Sequence, residues 1–477
     1  MRGKVWAAVL VPSVVMAGLA GYAWADANQL VPGILTNAPL PTPQPPLLTA
    51  EPLVVATPSA GPVGPIDPDA PLPAPDAVAA LAAALRADKR TGQSTNVYVA
   101  DYTTGAVLAS LDGENPQVPA STTKLLTAVA ALAALGPDFT MSTDVTYSSD
   151  TGRLTLVAGG DLMLTEGHGH FGSDHDAEGE VLANGWAGIA DLGDQIESVV
   201  PVGPVSIAVD TSDFPGPSYP AAWPEYPLTM GYAGRVEGIA INIGKKNGVD
   251  VGEYGARDKQ PALRALAALG QDLKARGYEV TVVGKASAAS GSVAVASVES
   301  APLSAVATEF LRYSDNTVAE QIARVLGLEV GGAATPAAGA AATIATLDSM
   351  GVDTAGLMLY DGAGFSDRNQ VAPATLVGSL LAARTSANTE RLLDYMPLSG
   401  LEGTVNKRFR GTPAAGFLRA KTGSLTGVTA LAGVVTTADG RQLAFATLLD
   451  GMPPGQTAPI AAVDEFVNAL AQCGCAG

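Results

Sequence analysis

The rhythm of apolar positions divides the chain. An apolar run, VWAAVLVPSVVMAGLAGYAWA (residues 5–25), stands behind the basic Arg2 and Lys4. From Val31 to Asp76 the chain is dense in proline (PLPTPQPPLL, PIDPDAPLPAPD) with no hydrophobic period, which predicts an extended, polyproline-like linker. A helical period then begins in DAVAALAAALRAD, with Asp76 as the expected N-cap. STNVYVADYTTGAVLASLDG places two alternating runs around Thr103-Thr104-Gly105 and predicts a β-hairpin. The Ala/Leu-rich STTKLLTAVAALAAL predicts a second helix.

Between Gly136 and Ser300 short β-type runs (DVTYSSDTGRLTLVAGGD, GPVSIAVD, GRVEGIAINIG, YEVTVVG) alternate with Gly, Pro and Asp, broken by one helix, QPALRALAALGQDLKARG. This stretch reads as a separate, mainly β insertion. Helical periods return in APLSAVATEFLRYS, TVAEQIARVLG, ATPAAGAAATIATLDSMG and APATLVGSLLAAR. Two strands, GFLRAKTGSLTGVTALAGVVTT and RQLAFATLLD, joined at Ala438-Asp439-Gly440, and a last helix, AAVDEFVNALAQ, complete an α+β pattern. No internal repeat with a fixed period is present.

Length and charge narrow the possibilities. The 477 residues exceed one simple core, and a net charge of −19 repels nucleic acid and anionic lipid headgroups. The basic start, the apolar run and the small-x-small site Ala23-Trp24-Ala25 form an export signal, with cleavage expected before Asp26. An uncleaved N-terminal membrane anchor is the alternative, and both place the bulk of the chain outside the cytoplasm. Cys473 and Cys475 are the two cysteines, too few to hold a metal and suited to pairing in an oxidising compartment.

The three histidines, His168, His170 and His175, share one polar stretch, GHGHFGSDHDAEGE, with Asp174 and Asp176. Imidazole and carboxylate are competent zinc ligands, but the spacing matches no metal motif and reads as a surface loop. A serine–histidine triad would have to draw its base from that loop, so the search for a base turns to lysine.

In PASTTKLLTA, Ser121 and Lys124 stand three residues apart where a loop meets a helix, so both can face one cleft. A serine hydroxyl needs a base, and lysine serves only when burial or neighbouring cations depress its pKa. A capping Ser121 with a solvated Lys124 is the structural alternative, and chance supplies such a spacing about once per chain. Tyr313-Ser314-Asp315-Asn316 lies between two helical runs: Ser314 can relay a proton and Asn316 can both donate and accept, though a helix cap fits equally. Lys421-Thr422-Gly423-Ser424 lies on a strand, supplying a positive charge, two hydroxyls and a glycine beside which a substrate backbone can pass. Asp361, in YDGAGFSD, is expected to shape a Gly-rich turn, and Trp186 and Trp223 to pack.

The order S-x-x-K, S-D-N, K-T-G, each in its expected setting, resembles the penicillin-binding and β-lactamase superfamily. The 190 positions from Lys124 to Ser314 resemble its class C low-molecular-mass branch, the D-alanyl-D-alanine carboxypeptidase/endopeptidases, as do LTLVAGGDLML, SAPLSAVATEFLRYSDNTVAEQ, YDGAGFSDRNQVAP and MPLSGLEGTVNKRF. The chain departs from that pattern at Leu162, where proline is frequent, and at Ala363, where serine is frequent. The resemblance spans about residues 80 to 470.

It implies a transpeptidase-type domain, an antiparallel sheet flanked by helices, made of 77–141 and 300–477. A leader or anchor (1–25) and a linker (26–76) precede it, and 142–299 is inserted in it. It further implies that Ser121 attacks a terminal D-Ala-D-Ala bond of peptidoglycan stem peptides, with Lys124 as base and the N–H groups of Ser121 and Ser424 holding the oxyanion. Ser314 would pass a proton to the leaving D-alanine; Lys421, Thr422 and Ser424 would hold the substrate carboxylate, beside Gly423, and Asn316 a stem-peptide amide. β-Lactams would acylate Ser121. No cofactor or metal enters this scheme. A β-lactamase or D-amino-acid esterase/amidase on the same scaffold, and a non-catalytic penicillin sensor, are the alternatives.

Overall fold

A computed structural model describes residues 18–28, 30–31, 69–92, 94–175, 179, 181–246, 254–452 and 457–474. Most of the expected leader and linker, Cys475 and Asp176 lie outside them. In the N-terminal unit (1–64), residues 18–27 are helical. Among the described residues no single helix is long and apolar enough to cross a membrane.

Among its described residues, the unit from residue 65 onward carries two five-stranded sheets. The first takes its strands from both ends of that unit: β1 (Ser94–Asp101), β2 (Val107–Leu111), β8 (Leu418–Leu425), β9 (Val428–Thr436) and β10 (Gln442–Asp450), in the order β2-β1-β10-β9-β8. Every pairing is antiparallel, and β8, last in that order, is an edge. The two-residue alternation of β10 sorts its side chains to two layers. Leu443, Phe445 and Leu449 pack with Val78 and Leu85 of α1 (Pro75–Ala87) and Val463 and Phe466 of α9 (Ala458–Gln472). Ala444, Ala446 and Leu448 join Leu125, Val129 and Leu132 of α2 (Thr123–Leu135) and Leu376 and Leu380 of α8 (Pro373–Ala383). α5 (Leu303–Arg312), α6 (Asn316–Gly331) and α7 (Pro336–Ser349) complete that side.

Helix α1 starts two residues earlier than expected, with Ala74 rather than Asp76 at the N-cap, Pro75 in its first turn and no side-chain cap. Proline's fixed φ and missing N–H suit that position. The run from Gly416 to Thr437 is two strands rather than one, because Thr426-Gly427 turns the chain back and Leu425 faces Val428.

The inserted segment, 142–299, holds the second sheet: β3 (Ser142–Ser148), β4 (Arg153–Val157), β5 (Pro204–Asp210), β6 (Glu279–Lys285) and β7 (Val293–Glu299), in the order β6-β5-β4-β3-β7. It is α/β rather than mainly β. α3 (Ile189–Val199) joins β4 to its parallel neighbour β5, and α4 (Pro261–Ala275) joins β5 to its parallel neighbour β6. Ile189, Leu192 and Ile196 form the buried helical stripe hidden in the Gly-rich stretch read as loop. The alternating VAVASVE makes β7, a strand not expected from sequence. GRVEGIAINIG is not a strand: Asn242 and Ile243 turn left-handed there, with φ of 48° and 56°.

Candidate active site

The turn before α2 is bent by Ala120, whose φ of 48° is unusual for a residue with a Cβ. Gly364 passes so close that a Cβ there would fall 1.9 Å from the Ala120 carbonyl oxygen. Ser121 follows in one 3₁₀ turn, Ala120–Thr122, before α2 begins at Thr123. Its hydroxyl does not cap the helix. Ser121 Oγ instead meets Lys124 Nζ at 3.0 Å.

Lys124 is fully buried. Its Nζ also donates to Asn316 Oδ1 at 2.5 Å and to the Ala363 carbonyl at 2.6 Å. Both partners are pure acceptors, so they take two amine hydrogens and leave the third direction to Ser121. Along it an ammonium donates to the hydroxyl, and a neutral amine accepts the hydroxyl proton. Burial lowers the Lys124 pKa to about 7, against the opposing charges of Asp361 and Asp315. An amine with a pKa near neutral can accept a proton there, and this one lies within hydrogen-bond reach of Ser121.

Ala363 belongs to the turn Asp361-Gly362-Ala363-Gly364. Asp361, fully buried, accepts from the N–H groups of Ala363 at 2.9 Å, Gly364, and Ser366 at 2.7 Å. Gly362 N donates to Glu320 Oε2 at 2.9 Å, and Gly362 O accepts from Thr127 Oγ1 at 2.7 Å. Asp361 shapes the turn, as expected. The contribution of Ala363 is its carbonyl, a backbone group that alanine and serine supply alike.

Ser314-Asp315-Asn316 joins α5 to α6. Ser314 is left-handed (φ 60°), and Asp315 caps α6 by accepting from Thr317 N and Val318 N at 2.9 and 3.0 Å. The motif caps a helix and also brings Asn316 to Lys124 and Ser314 to Lys421. Burial raises the Asp315 pKa, but the Arg257 and Lys245 charges outweigh it and hold the carboxyl below its usual range. Arg257 Nη2 is 3.1 Å from Asp315 Oδ2. Asn316 is 5% exposed, with Nδ2 donating to the Tyr232 carbonyl at 2.9 Å. Ser314 Oγ accepts from Lys421 Nζ at 2.9 Å. Burial pushes the Lys421 pKa well below its usual value, and the charge of Lys124 acts the same way.

Edge strand β8 carries the third motif. Its pairing with β9 turns the backbone of Lys421 and Gly423 inward and that of Leu418, Ala420, Thr422 and Ser424 outward. Residues 397–399 cover the first part of the outer edge, through Ala420 N to Pro397 O and Ser399 N to Leu418 O, and stop short of Thr422 and Ser424. Thr422 Oγ1 donates to Thr404 Oγ1 at 3.0 Å, and Ser424 is exposed. A Cβ on Gly423 would lie 2.8 Å from Pro119 O and 2.9 Å from Ala430 Cβ. The glycine thus lets the strand press against the Ser121 turn, a packing role beyond the substrate passage expected of it. A cavity of about 390 Å³, lined by Trp223, Tyr226, Phe365, Asp367, Leu425 and Thr426, opens at the end of β8.

His168 and His170 line one cavity with Asp174, but their ring nitrogens have separate partners. His170 accepts from Gly172 N at Nδ1 and lies 3.2 Å from Asn184 O at Nε2; exposed His168 pairs with Asp191 at 2.9 Å; His175 is exposed. Among the described residues the group close enough to share an ion is His168, Asp191 and Asp194. Asp191 already accepts from Gly169 N and Gly188 N, and Asp194 pairs with Arg276. Trp223 packs, as expected, edge-on to Tyr219 and Phe365. Sequence reasoning did not single out Arg257, Tyr232, Thr404 or the Ala363 carbonyl. Two of these act through backbone oxygens, and two of them, Arg257 and Tyr232, come from the inserted segment.

Residues 77–252 and 250–473 match the D-Ala-D-Ala carboxypeptidase 3 (S13) family. The chain is 34% identical over 476 residues to carboxypeptidase DacB of Mycolicibacterium smegmatis, covering 98% of this chain and 95% of the relative. It is 31% identical to a D-alanyl-D-alanine carboxypeptidase of an Actinomadura species, covering 80% and 82%. The crystal structure of penicillin binding protein 4 (dacB) from Haemophilus influenzae has the same fold: the TM-score is 0.68 at 20% identity, over 82% of this chain and 99% of that one. By its two matched segments and these relatives, the chain belongs to the D-Ala-D-Ala carboxypeptidase 3 (S13) family of peptidases.

Proposed function

We propose that the chain cleaves the terminal D-Ala-D-Ala bond of peptidoglycan stem peptides through an acyl-enzyme on Ser121, and that penicillins acylate the same serine. The observation carrying this reading is the third direction of Lys124 Nζ, which points to Ser121 Oγ at 3.0 Å once its other two contacts are spent on obligate acceptors.

Ser121 Oγ attacks the carbonyl carbon, and its proton passes to neutral Lys124. The oxyanion lies between the N–H of Ser121 and the outward N–H of Ser424. As the C–N bond breaks, Ser314 hands its proton to the departing D-alanine nitrogen and takes in return the one Lys124 gained from Ser121, while the Lys421 amine, 2.9 Å away, holds the Ser314 hydroxyl. Lys421, Thr422 and Ser424 receive the terminal carboxylate. Asn316 orients Lys124 and keeps its second amide hydrogen for the stem peptide. Water then cleaves the ester, its proton passing to neutral Lys124 as its oxygen attacks, and Lys124 returns that proton to Ser121. The same acylation serves carboxypeptidase and endopeptidase cleavage. The basic and apolar sequence of residues 2–25 supports export to the cell envelope, with release or anchoring through that segment as the two routes.

The test is incubation with a fluorescent penicillin and with a pentapeptide ending in D-Ala-D-Ala, beside Ser121→Ala. Stable labelling and D-alanine release, both lost in the variant, are expected. Fast penicillin turnover would indicate a β-lactamase, and labelling without release a sensor. Full activity in Ser121→Ala would refute the reading.

A further inference from the structure

We propose that Trp223, contributed by the inserted segment, is a positioning residue for Lys124, acting through the Asp361 carboxylate and the Ala363 carbonyl. The inference rests on the reading of Lys124 as the base for Ser121. The links form a continuous chain. Trp223 is 5% exposed, and its Nε1–H donates to Asp361 Oδ2 at 2.9 Å. Asp361 in turn holds the N–H groups of Ala363, Gly364 and Ser366. The Ala363 carbonyl, on the far side of that turn, accepts from Lys124 at 2.6 Å.

The indole is itself fixed. Tyr219 and Phe365 meet it edge-on, with ring centroids at 5.2 and 5.4 Å and interplanar angles of 84° and 66°. Such a setting leaves the N–H little freedom to point elsewhere. The other anchors of the turn, Glu320 at Gly362 N and Thr127 at Gly362 O, come from α6 and α2. The inserted segment thus supplies, through Trp223, an indole N–H that holds the Asp361 carboxylate in place in a buried site.

The electrostatic consequence has a sign. The charges that act on Lys124 are Asp361 on the turn and Asp315, the cap of α6, with Lys421 on β8; behind them, Arg257 pairs with Asp315, and Glu320 on α6 pairs with Arg324. The Asp361 charge favours the ammonium form of Lys124. An N–H donated to that carboxylate draws off part of its field, so removing the donor strengthens the field and stabilises the ammonium. The neutral amine then forms only at higher pH.

The test is the second-order rate of acylation by a fluorescent penicillin from pH 5 to 9.5, in the wild type and Trp223→Phe. The expected result is an acid limb displaced by roughly half to one pH unit to the alkaline side. That corresponds to a rate about three- to tenfold lower at pH 6 and changed less than twofold at pH 9. Placing the sulfur isostere of tryptophan, benzothienylalanine, at position 223 alone keeps the ring shape and deletes only the donor. It should give the same displacement even if the smaller phenyl ring impairs folding. An equal loss of rate at every pH assigns Trp223 a packing role and overturns the inference, as does an unchanged profile in the isostere. If the wild type is not acylated at all, the reading of Ser121 and Lys124 fails, and this inference falls with it.

Discussion

Replacing Asn316 with aspartate changes one amide nitrogen for an oxygen and tests the Lys124 reading directly. Lys124 Nζ lies 2.5 Å from Asn316 Oδ1, fully buried. At an effective dielectric of about 20, a unit charge at that distance attracts the ammonium by about 6–7 kcal/mol, part of which the burial of a new carboxylate cancels. Carboxylates beside cations shift pKa values by roughly one to three units, so Lys124 in Asn316→Asp should move from about 7 to about 9 or above. The sign follows from the neutral amine being the base: a raised pKa removes the active form at neutral pH. At pH 7 the neutral fraction falls from about one half to about 1% or less, and acylation by a fluorescent penicillin slows on order of 50-fold. Raising the pH to about 9.5 restores much of the rate. The variant also sets a carboxylate oxygen against the Tyr232 carbonyl, where an amide N–H now donates at 2.9 Å, so a pH-independent loss adds to the shift. The assay is the pH–rate profile of labelling between pH 5 and 10, on enzyme shown to be folded by its thermal melt. An acid limb in the wild-type position would refute Lys124 as the base.

Two further outcomes follow from packing and charge. Gly423→Ala drives a Cβ to 2.8 Å from Pro119 O and 2.9 Å from Ala430 Cβ. It should destabilise by about 1–3 kcal/mol in denaturant titration and slow acylation roughly tenfold or more by parting β8 from Ser121. Asp101 and Arg441 form a buried two-point pair at 2.7 and 2.6 Å, so Asp101→Asn should cost about 3–5 kcal/mol in the same titration. Burial opposes ionisation of Asp101, but the Arg441 and Thr104 bonds prevail and lower its pKa to about 2. With the folded pKa below the unfolded one, the wild-type pair stabilises fully above pH 4. That contribution, about 2 kcal/mol, is lost as pH falls through 2, and a pH series of melts on wild type and Asp101→Asn separates it from the rest.

What the sequence disclosed depended on how local the cause was. Helices with a clean apolar stripe, such as Leu303–Arg312 and Ala458–Gln472, were legible because the period alone specifies the buried face. The helix Ile189–Val199 was not, because Gly188 and Gly193 surround its stripe with turn-like residues, and Gly193 is small because Asp272 would lie 1.8 Å from a Cβ there. That contact is tertiary and leaves no local mark. Ser121, Lys124, Ser314 and Lys421 were legible because side-chain chemistry at short spacing was the signal. The groups that orient them were not: the Ala363 and Tyr232 carbonyls carry no residue signature, and Arg257 meets Asp315 across 58 positions. Whether Ser121 caps a helix was a question of φ and ψ, and the left-handed Ala120 decided it.

The letters of Ser314-Asp315-Asn316 can be argued from what the inserted segment sets against them. Asn316 stands between an amine and a carbonyl: Oδ1 receives Lys124, and Nδ2 gives to Tyr232 O. Only a side chain with an acceptor at one end and a donor at the other satisfies both, which excludes aspartate and leucine of similar volume. Asp315 stands between two N–H groups of α6 and the Arg257 guanidinium, so an anion is stabilised there where an amide would leave Arg257 buried and uncompensated. Gly234 N completes the seam by donating to Thr317 Oγ1 at 2.8 Å. Tyr232, Gly234 and Arg257, the partners from the insertion, lie between residues 232 and 257, in its irregular part between β5 and α4. The second sheet itself supplies none of them. The sheet is thus a frame from which an irregular segment is held against the motif, and the motif's polarity pattern is the complement of that segment.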